Sequence, residues 1–400
     1  MVFKLKEFQE NSPGIIIFSH KEFIKYSQYR SFNKTLESYK ENYYFGVHWG
    51  DSSEDTSKYN FNNIDMNFCY PEQLPDLDLK NQKTFPITTR SFIPSAIFNA
   101  DEDVQKKYDV ITVTRKATSK FNIDLFNISK ELILNNPKIK ILILVSNPNY
   151  RKSTFDHLFD ENYEKILGSY NNKNVELISF NEPPAQELVA SYLQNSKIFL
   201  FTSRKEGVAK VTAEAALCNL PLFINRNFFG GARAGINPNY IFAYDSIKSA
   251  TTQINDYLSS YDFNTKELKA NIFTEDLIDT KNLIKLDKAL EKFFNSKDKP
   301  YKGELDSINL KNRMNSFLKE LPKMYVAENN DLKSITAVTR YFENLCIGDF
   351  KTSRVLILYD RLLNIRINLG IKDILFILSP ISLIKIIRRR NSFKKELPYE

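Results

Sequence analysis

Residues 199–231 read FLFTSRKEGVAKVTAEAALCNLPLFINRNFFGG. The apolar run ends at Thr202 and a polar loop follows, as at the end of a buried strand. Glu206 and Gly207 open a stretch with helical spacing that runs to 219, and Pro221 leads into a second apolar run at 221–224. Strand, loop, helix and strand in this order build a parallel sheet. Glu214 stands eight residues after Glu206, a little over two turns at ~3.6 residues per turn, so both carboxylates are expected on one face. Gly207 admits a close backbone approach, and the free N–H groups of a first helical turn form a donor platform for hydroxyls or phosphate.

The same alternation extends upstream. Residues 109–114 (DVITVT) and 140–146 (KILILVS) read as strands, and Phe121, Leu125, Ile128, Leu132 and Ile133 give 121–135 a helical face. Helices are expected near 155–168 and 184–195, followed by strands at 175–180 and 197–202 respectively. Near-continuous apolar strands between amphipathic helices mark a parallel sheet covered on both faces, so 109 to about 260 reads as doubly wound. Ligands of such sheets lie beyond the carboxyl ends of the strands. Arg115 follows the 109–114 strand directly and Lys120 comes five residues later, at the start of the next helix. Two cations there suit a diphosphate, the guanidinium forking onto two oxygens and the ammonium acting as a point charge.

Nearer the N-terminus, GIIIFS (14–19) and YYFGVH (43–48) flank a polar, helix-compatible stretch and read as a β-α-β start. Residues 52–94 are rich in Asn, Asp, Ser and Pro and read as loops with a short strand near 65–70, followed by a connector over 84–108. Past the charged break at 296, helical periodicity recurs in 307–320, 332–346 and 354–367. The expected fold class is α/β with two Rossmann-like domains: a short N-terminal domain (1–100), a second domain (101–296) and a helical extension (297–400). A length of 400 residues at ~150 per domain agrees.

Composition narrows the function. Lys plus Arg is 56 against 48 acidic residues, and a net charge of +8 favours anionic partners without choosing among nucleotide phosphates, nucleic acid or acidic lipid. Neither G-x-G-x-x-G nor a Walker-type loop occurs, which disfavours dinucleotide and P-loop chemistry. Cys69, Cys218 and Cys346 are far apart and form no C-x-x-C, so neither a disulfide framework nor structural zinc is expected. Residues 1–10 are charged and carry no apolar secretory segment, so a cytoplasmic location is expected.

At these residues the chain resembles the retaining glycosyltransferases of GT-B architecture, family 4 above all. Glu206 and Glu214 match that family's E-x7-E spacing, 214–221 (EAALCNLP) resembles the stretch that follows its second Glu, and Gly230-Gly231 stands where a Gly pair is frequent. Arg115 and Lys120 match its R-x4-K spacing. The resemblance implies a nucleotide-sugar donor and transfer to a hydroxyl with retention, in polysaccharide or glycolipid assembly. It also implies that Arg115 and Lys120 hold the diphosphate, that Glu206 and the backbone of Gly207, Val208 and Ala209 face the sugar, and that Glu214 bonds the ribose. Base recognition is expected to involve 175–187. The leaving-group charge is expected to fall to the cations, with no metal and no other cofactor. Thr114, Phe121, Thr202 and Asn219 depart from the family's residues at their positions.

His48 matches in position a His that many relatives place near the donor sugar, and His20 is its rival; a packed structural histidine is the competing reading for either. Asp76-Leu77-Asp78 has the D-x-D form of metal-dependent transferases but lies in a Pro-flanked polar stretch, so it reads as a solvated loop. The uncharged run 374–384 is too short at ~1.5 Å per residue to cross a ~30 Å hydrocarbon core. With its flanking Lys and Arg, 371–395 reads either as an interfacial segment on an anionic inner membrane face or as a terminal helix docked on the fold. The acceptor is expected to be a saccharide or a lipid-linked saccharide. Transfer to DNA or protein is an alternative, nucleic acid being the less favoured partner. A non-catalytic nucleotide-binding scaffold is another.

Overall fold

The computed structural model describes residues 2–20, 23–24, 27, 30–49, 60–70, 82–100, 104–117, 120–146, 156–260 and 272–305. The D-x-D at 76–78, the helices expected after 306 and the basic, apolar tail lie outside the described residues. Met1–Gln28 and Leu36–Leu321 gather into one compact unit, which carries both sheets. Of the other unit, Tyr29–Thr35 with Pro322–Glu400, only the start of helix α1 (Arg30–Ser38) is described.

The first sheet runs in chain order: β1 (Val2–Lys6), β2 (Gly14–Ser19), β3 (Tyr43–His48), β4 (Met66–Phe68) and β5 (Lys83–Phe85). Only β1 is antiparallel, pairing with β2 at the sheet edge. The stretch expected to be a connector thus supplies a strand, because Phe85 fills a slot beside Phe68, ring centroids 5.3 Å apart.

The second sheet comprises β6 (Tyr108–Thr114), β7 (Ile141–Ser146), β8 (Val175–Phe180), β9 (Ser196–Phe201), β10 (Leu222–Asn225) and β11 (Ile241–Tyr244). All its pairings are parallel and the order is β11-β10-β9-β6-β7-β8. Numbered from β6, that is the Rossmann order, and its direction of winding reverses between β6 and β9. Alternate residues divide between two cores, as a strand period of two requires. Ile111, Leu142, Leu144, Phe199 and Phe201 pack with α4 (Gln186–Gln194) and α5 (Lys210–Leu217) on one face. Val110, Ile141, Ile143, Ile198 and Leu200 pack with α2 (Asn122–Asn135), α3 (Asp156–Leu167) and α6 (Ile247–Ser260) on the other. Each such side chain contributes roughly 1.5–3 kcal/mol by leaving water.

Helix α7 (Asp279–Asn295) returns the chain to the first sheet. Its Leu286, Leu290, Phe293 and Phe294 join Leu5, Ile15, Ile17, Phe68 and Phe85 in one core. The residues before 296 were expected to belong to the second domain, whereas the apolar face of this helix completes the core of the first. Between β5 and β6, a 3-10 turn (Thr89–Phe92) is capped by Thr88, whose Oγ1 accepts from the Arg90 amide at 3.2 Å. The turn places Arg90, fully buried, against the loop before α5.

Candidate functional site

The reversal between β6 and β9 leaves a crevice beyond their carboxyl ends, where neither following connection covers the other. Four contacts stitch its two sides together. Thr202, just past β9, donates its hydroxyl to the Lys120 carbonyl at 3.0 Å. The Arg204 guanidinium lies 4.2 Å from the centroid of the Phe121 ring and pairs with Asp124 at 2.9 Å. Lys120 Nζ, finally, forms an ion pair with Glu206. The two side chains are 9% and 19% exposed, so the pair is screened from water but open on one side.

Local backbone explains the placement. Phe121 has φ 49°, a left-handed conformation that starts α2 at Asn122 and leaves Lys120 in the loop ahead of it. Asn122 holds that loop by donating to the Arg115 carbonyl at 2.9 Å while its Oδ1 lies 2.8 Å from the Thr114 hydroxyl. Ala209 has φ 44° and delays α5 to Lys210, three residues later than the spacing predicts. Glu206, Gly207, Val208 and Ala209 therefore form a loop, and the two carboxylates do not share a helical face as expected. The reason is tertiary: the Glu206 amide bonds the Phe229 carbonyl at 3.1 Å, and the Gly231 amide bonds the Gly207 carbonyl at 2.8 Å. Gly230, at φ +126°, makes this approach feasible, since a Cβ there would stand 1.6 Å from the Glu206 carbonyl oxygen.

The hydrogen-bond accounts of this loop are lopsided. The carbonyls of Gly207, Val208 and Ala209 are all engaged: Gly207 by the Gly231 amide, the other two by Arg90 Nη1 at 3.4 and 3.0 Å. The amides of the same three buried residues have no partner among the described residues. Unpaired donors in buried backbone are rare and call for an acceptor. With Lys120 opposite, an anionic ligand meets that requirement.

No protein-family model matches the sequence, and no curated protein matches it. Solved structures do match. The C-terminal domain of a group 1 family glycosyl transferase (LpcC) from Francisella tularensis aligns over 47% of this chain and 97% of its own, at 16% identity and a TM-score of 0.36. TarM aligns over 70% of this chain and 54% of its own, at 19% identity and a TM-score of 0.47. A UDP-forming α,α-trehalose-phosphate synthase from Burkholderia xenovorans aligns over 64% and 70%, at 11% identity and a TM-score of 0.49. These neighbours are GT-B glycosyltransferases, and the chain spans about half the length of TarM.

The remaining expected site residues fall as follows. Arg115 is exposed at the end of β6 and has no ion-pair partner among the described residues. Glu214 lies on the second turn of α5; burial raises its pKa above the usual carboxylate range, opposed by Lys210 and Arg90. His48 ends β3, opposite Ser19 of β2. Its Nε2 is sealed from solvent without a partner among the described residues, and burial, reinforced by His20, lowers its pKa to about 3. His20 stacks on Trp49, ring centroids 6.2 Å apart. These two lie at the carboxyl end of the first sheet, on elements separate from the Lys120–Glu206 pair. Residues 175–187 cover edge strand β8 and the start of α4. Sequence reasoning missed Arg90, which sits in a turn (TTRSF) without periodicity; the one signal was a cation followed closely by Phe92 and Ile93, both buried.

Proposed function

We propose that the protein transfers a sugar from a nucleotide-sugar donor to a hydroxyl acceptor. The observation that carries this reading is the juxtaposition, at the switch point of a Rossmann-order sheet, of the Lys120–Glu206 pair with the unpartnered amides of Gly207, Val208 and Ala209. An arrangement of one cation and several backbone donors fits a diphosphate, and the adjoining carboxylate fits sugar hydroxyls. In this reading the donor diphosphate displaces Glu206 from Lys120, and the freed carboxylate accepts from the transferred sugar. Lys120, Arg115 and the loop amides then meet the negative charge that grows on the departing nucleoside diphosphate as the anomeric C–O bond breaks, the acceptor oxygen bonds to carbon and the acceptor's proton passes to the departing diphosphate oxygen. Glu214 holds the ribose, 175–187 borders the base, and His48 and His20 flank the acceptor side.

The finer features of the proposal come from the resemblance in the motifs: retention at the anomeric carbon, charge stabilisation by cations, and a saccharide or lipid-linked saccharide as acceptor. The test is a thermal-shift screen of nucleoside diphosphates and their sugars, because a ligand specific to the native state adds ~2.7 kcal/mol at a hundredfold excess over its Kd. A nucleotide that stabilises the wild-type chain and fails to stabilise Lys120→Met supports the reading. No stabilisation by any member of the panel refutes it.

A further inference from the structure

Arg90 belongs to the turn that leads out of the first sheet, yet its guanidinium is spent on the loop of the second. Nε donates to the Ala234 carbonyl at 3.0 Å. Nη1 donates to the carbonyls of Ala209 at 3.0 Å and Val208 at 3.4 Å and bonds the Thr212 hydroxyl. Thr212 Oγ1 in turn lies 2.7 Å from the Ala232 carbonyl, so one buried side chain ties the loop, the first turn of α5 and the 231–234 turn together. Nη2 is buried with no partner among the described residues. A wholly buried cation that forgoes one donor is costly to keep, which argues against a role in mere space-filling.

A trans peptide is planar, with its carbonyl and its N–H pointing in opposite directions. Holding the Val208 and Ala209 oxygens therefore turns the N–H groups of Ala209 and Lys210 away from Arg90. The Gly231 amide does the same for Val208 through the Gly207 oxygen. Ala209 also holds a left-handed φ that a non-glycine residue adopts at a cost, and the bonds to its carbonyl keep it there. We propose that Arg90 is a positioning residue for the donor site: by clamping the carbonyls of Val208 and Ala209 it fixes the loop and aims the Ala209 amide at the ligand. This rests on the proposed donor site, and Arg90 itself touches no substrate.

The experiment compares Arg90→Lys with wild type in the full chain. Lysine keeps the charge but cannot reach Ala234 and the Val208–Ala209 carbonyls at once. Two readouts are taken well below the melting temperature: affinity for the nucleoside diphosphate that stabilises the wild type, and amide hydrogen exchange by segment. The expected result is at least a tenfold rise in Kd, with exchange at least tenfold faster in 206–212 and unchanged in β6, β7 and β9. A lowered melting temperature with wild-type Kd and no local change in exchange overturns the proposal and leaves Arg90 as a structural tie. If the wild type binds no nucleotide, the donor-site reading fails by itself, and local exchange alone decides whether the clamp exists. If Arg90→Lys does not fold, Arg90→Gln, which removes the buried charge and is too short to hold the Val208 and Ala209 carbonyls together with that of Ala234, is read identically.

Discussion

Lys120, in the loop after β6, and Glu206, in the loop after β9, hold each other in an ion pair across the switch point of the second sheet. The pair does two jobs that mutation can separate. Lys120→Met or Glu206→Gln alone leaves a poorly solvated charge, at an expected cost of about 2 kcal/mol each. The double variant removes both charges, so its loss should be well below the sum, as urea unfolding will measure. Nucleotide affinity should behave differently: Lys120→Met lowers it at least tenfold in either background. Recovery of binding in the double variant would show that Lys120 matters only as a partner for Glu206.

Glu214 gives a pH-dependent prediction. Its pKa is raised in the fold by burial, with Lys210 and Arg90 opposing. Between the ordinary carboxylate value and the raised one, the folded state holds a proton that the unfolded state has released. Stability from this group is therefore present at acidic pH and lost as pH rises through the folded pKa. Glu214→Gln should raise the melting temperature at pH 8 and change it little at pH 5. It should also weaken donor binding if Glu214 accepts from the ribose. A variant equally stable at both pH values with undiminished affinity counts against the assignment.

The doubly wound half was legible because each strand from 109 to 224 is apolar on both faces, and a continuous apolar run between amphipathic helices has few other solutions. Strand β1 was not, since VFKLK carries two lysines and becomes a strand only by pairing with β2. The start of α5 was misplaced by three residues because nothing local demands a left-handed Ala209; the demand comes from Gly231 and Arg90, 22 residues ahead in sequence and 119 behind. The site residues on either side of the crevice could be picked out by spacing, whereas their mutual ion pair and the carbonyl clamp could not. Contacts to carbonyls leave no periodic trace in a sequence.

Gly230 tests the close approach that shapes the loop. Alanine there meets the Glu206 carbonyl at 1.6 Å and must adopt a φ of +126°. Backbone cannot yield as a flexible side chain does, so Gly230→Ala should separate 229–231 from 206–207, at a cost of about 2–4 kcal/mol. Nucleotide binding should fall with it. The neighbouring Gly231→Ala has a helical position at the start of a 3-10 turn and serves as the control; equal loss in both variants would remove the special role of Gly230.

His48 predicts how the first sheet responds to acid. Burial, with the adjacent His20, holds its folded pKa at about 3, against an ordinary value near 6.5. Between these values the unfolded chain binds a proton that the folded chain does not, so unfolding free energy falls as pH falls, by up to about 1.4 kcal/mol per unit. The full contribution is present above pH 6.5. Lowering the pH from 7 to 5 should thus cost about 2 kcal/mol through this group, read as a shift in the urea midpoint. His48→Gln carries no titrating proton and should lose most of that slope while remaining folded at pH 7. If the variant shows the same pH 7-to-5 difference as wild type, the acid sensitivity lies elsewhere and His48 keeps no hidden neutral state.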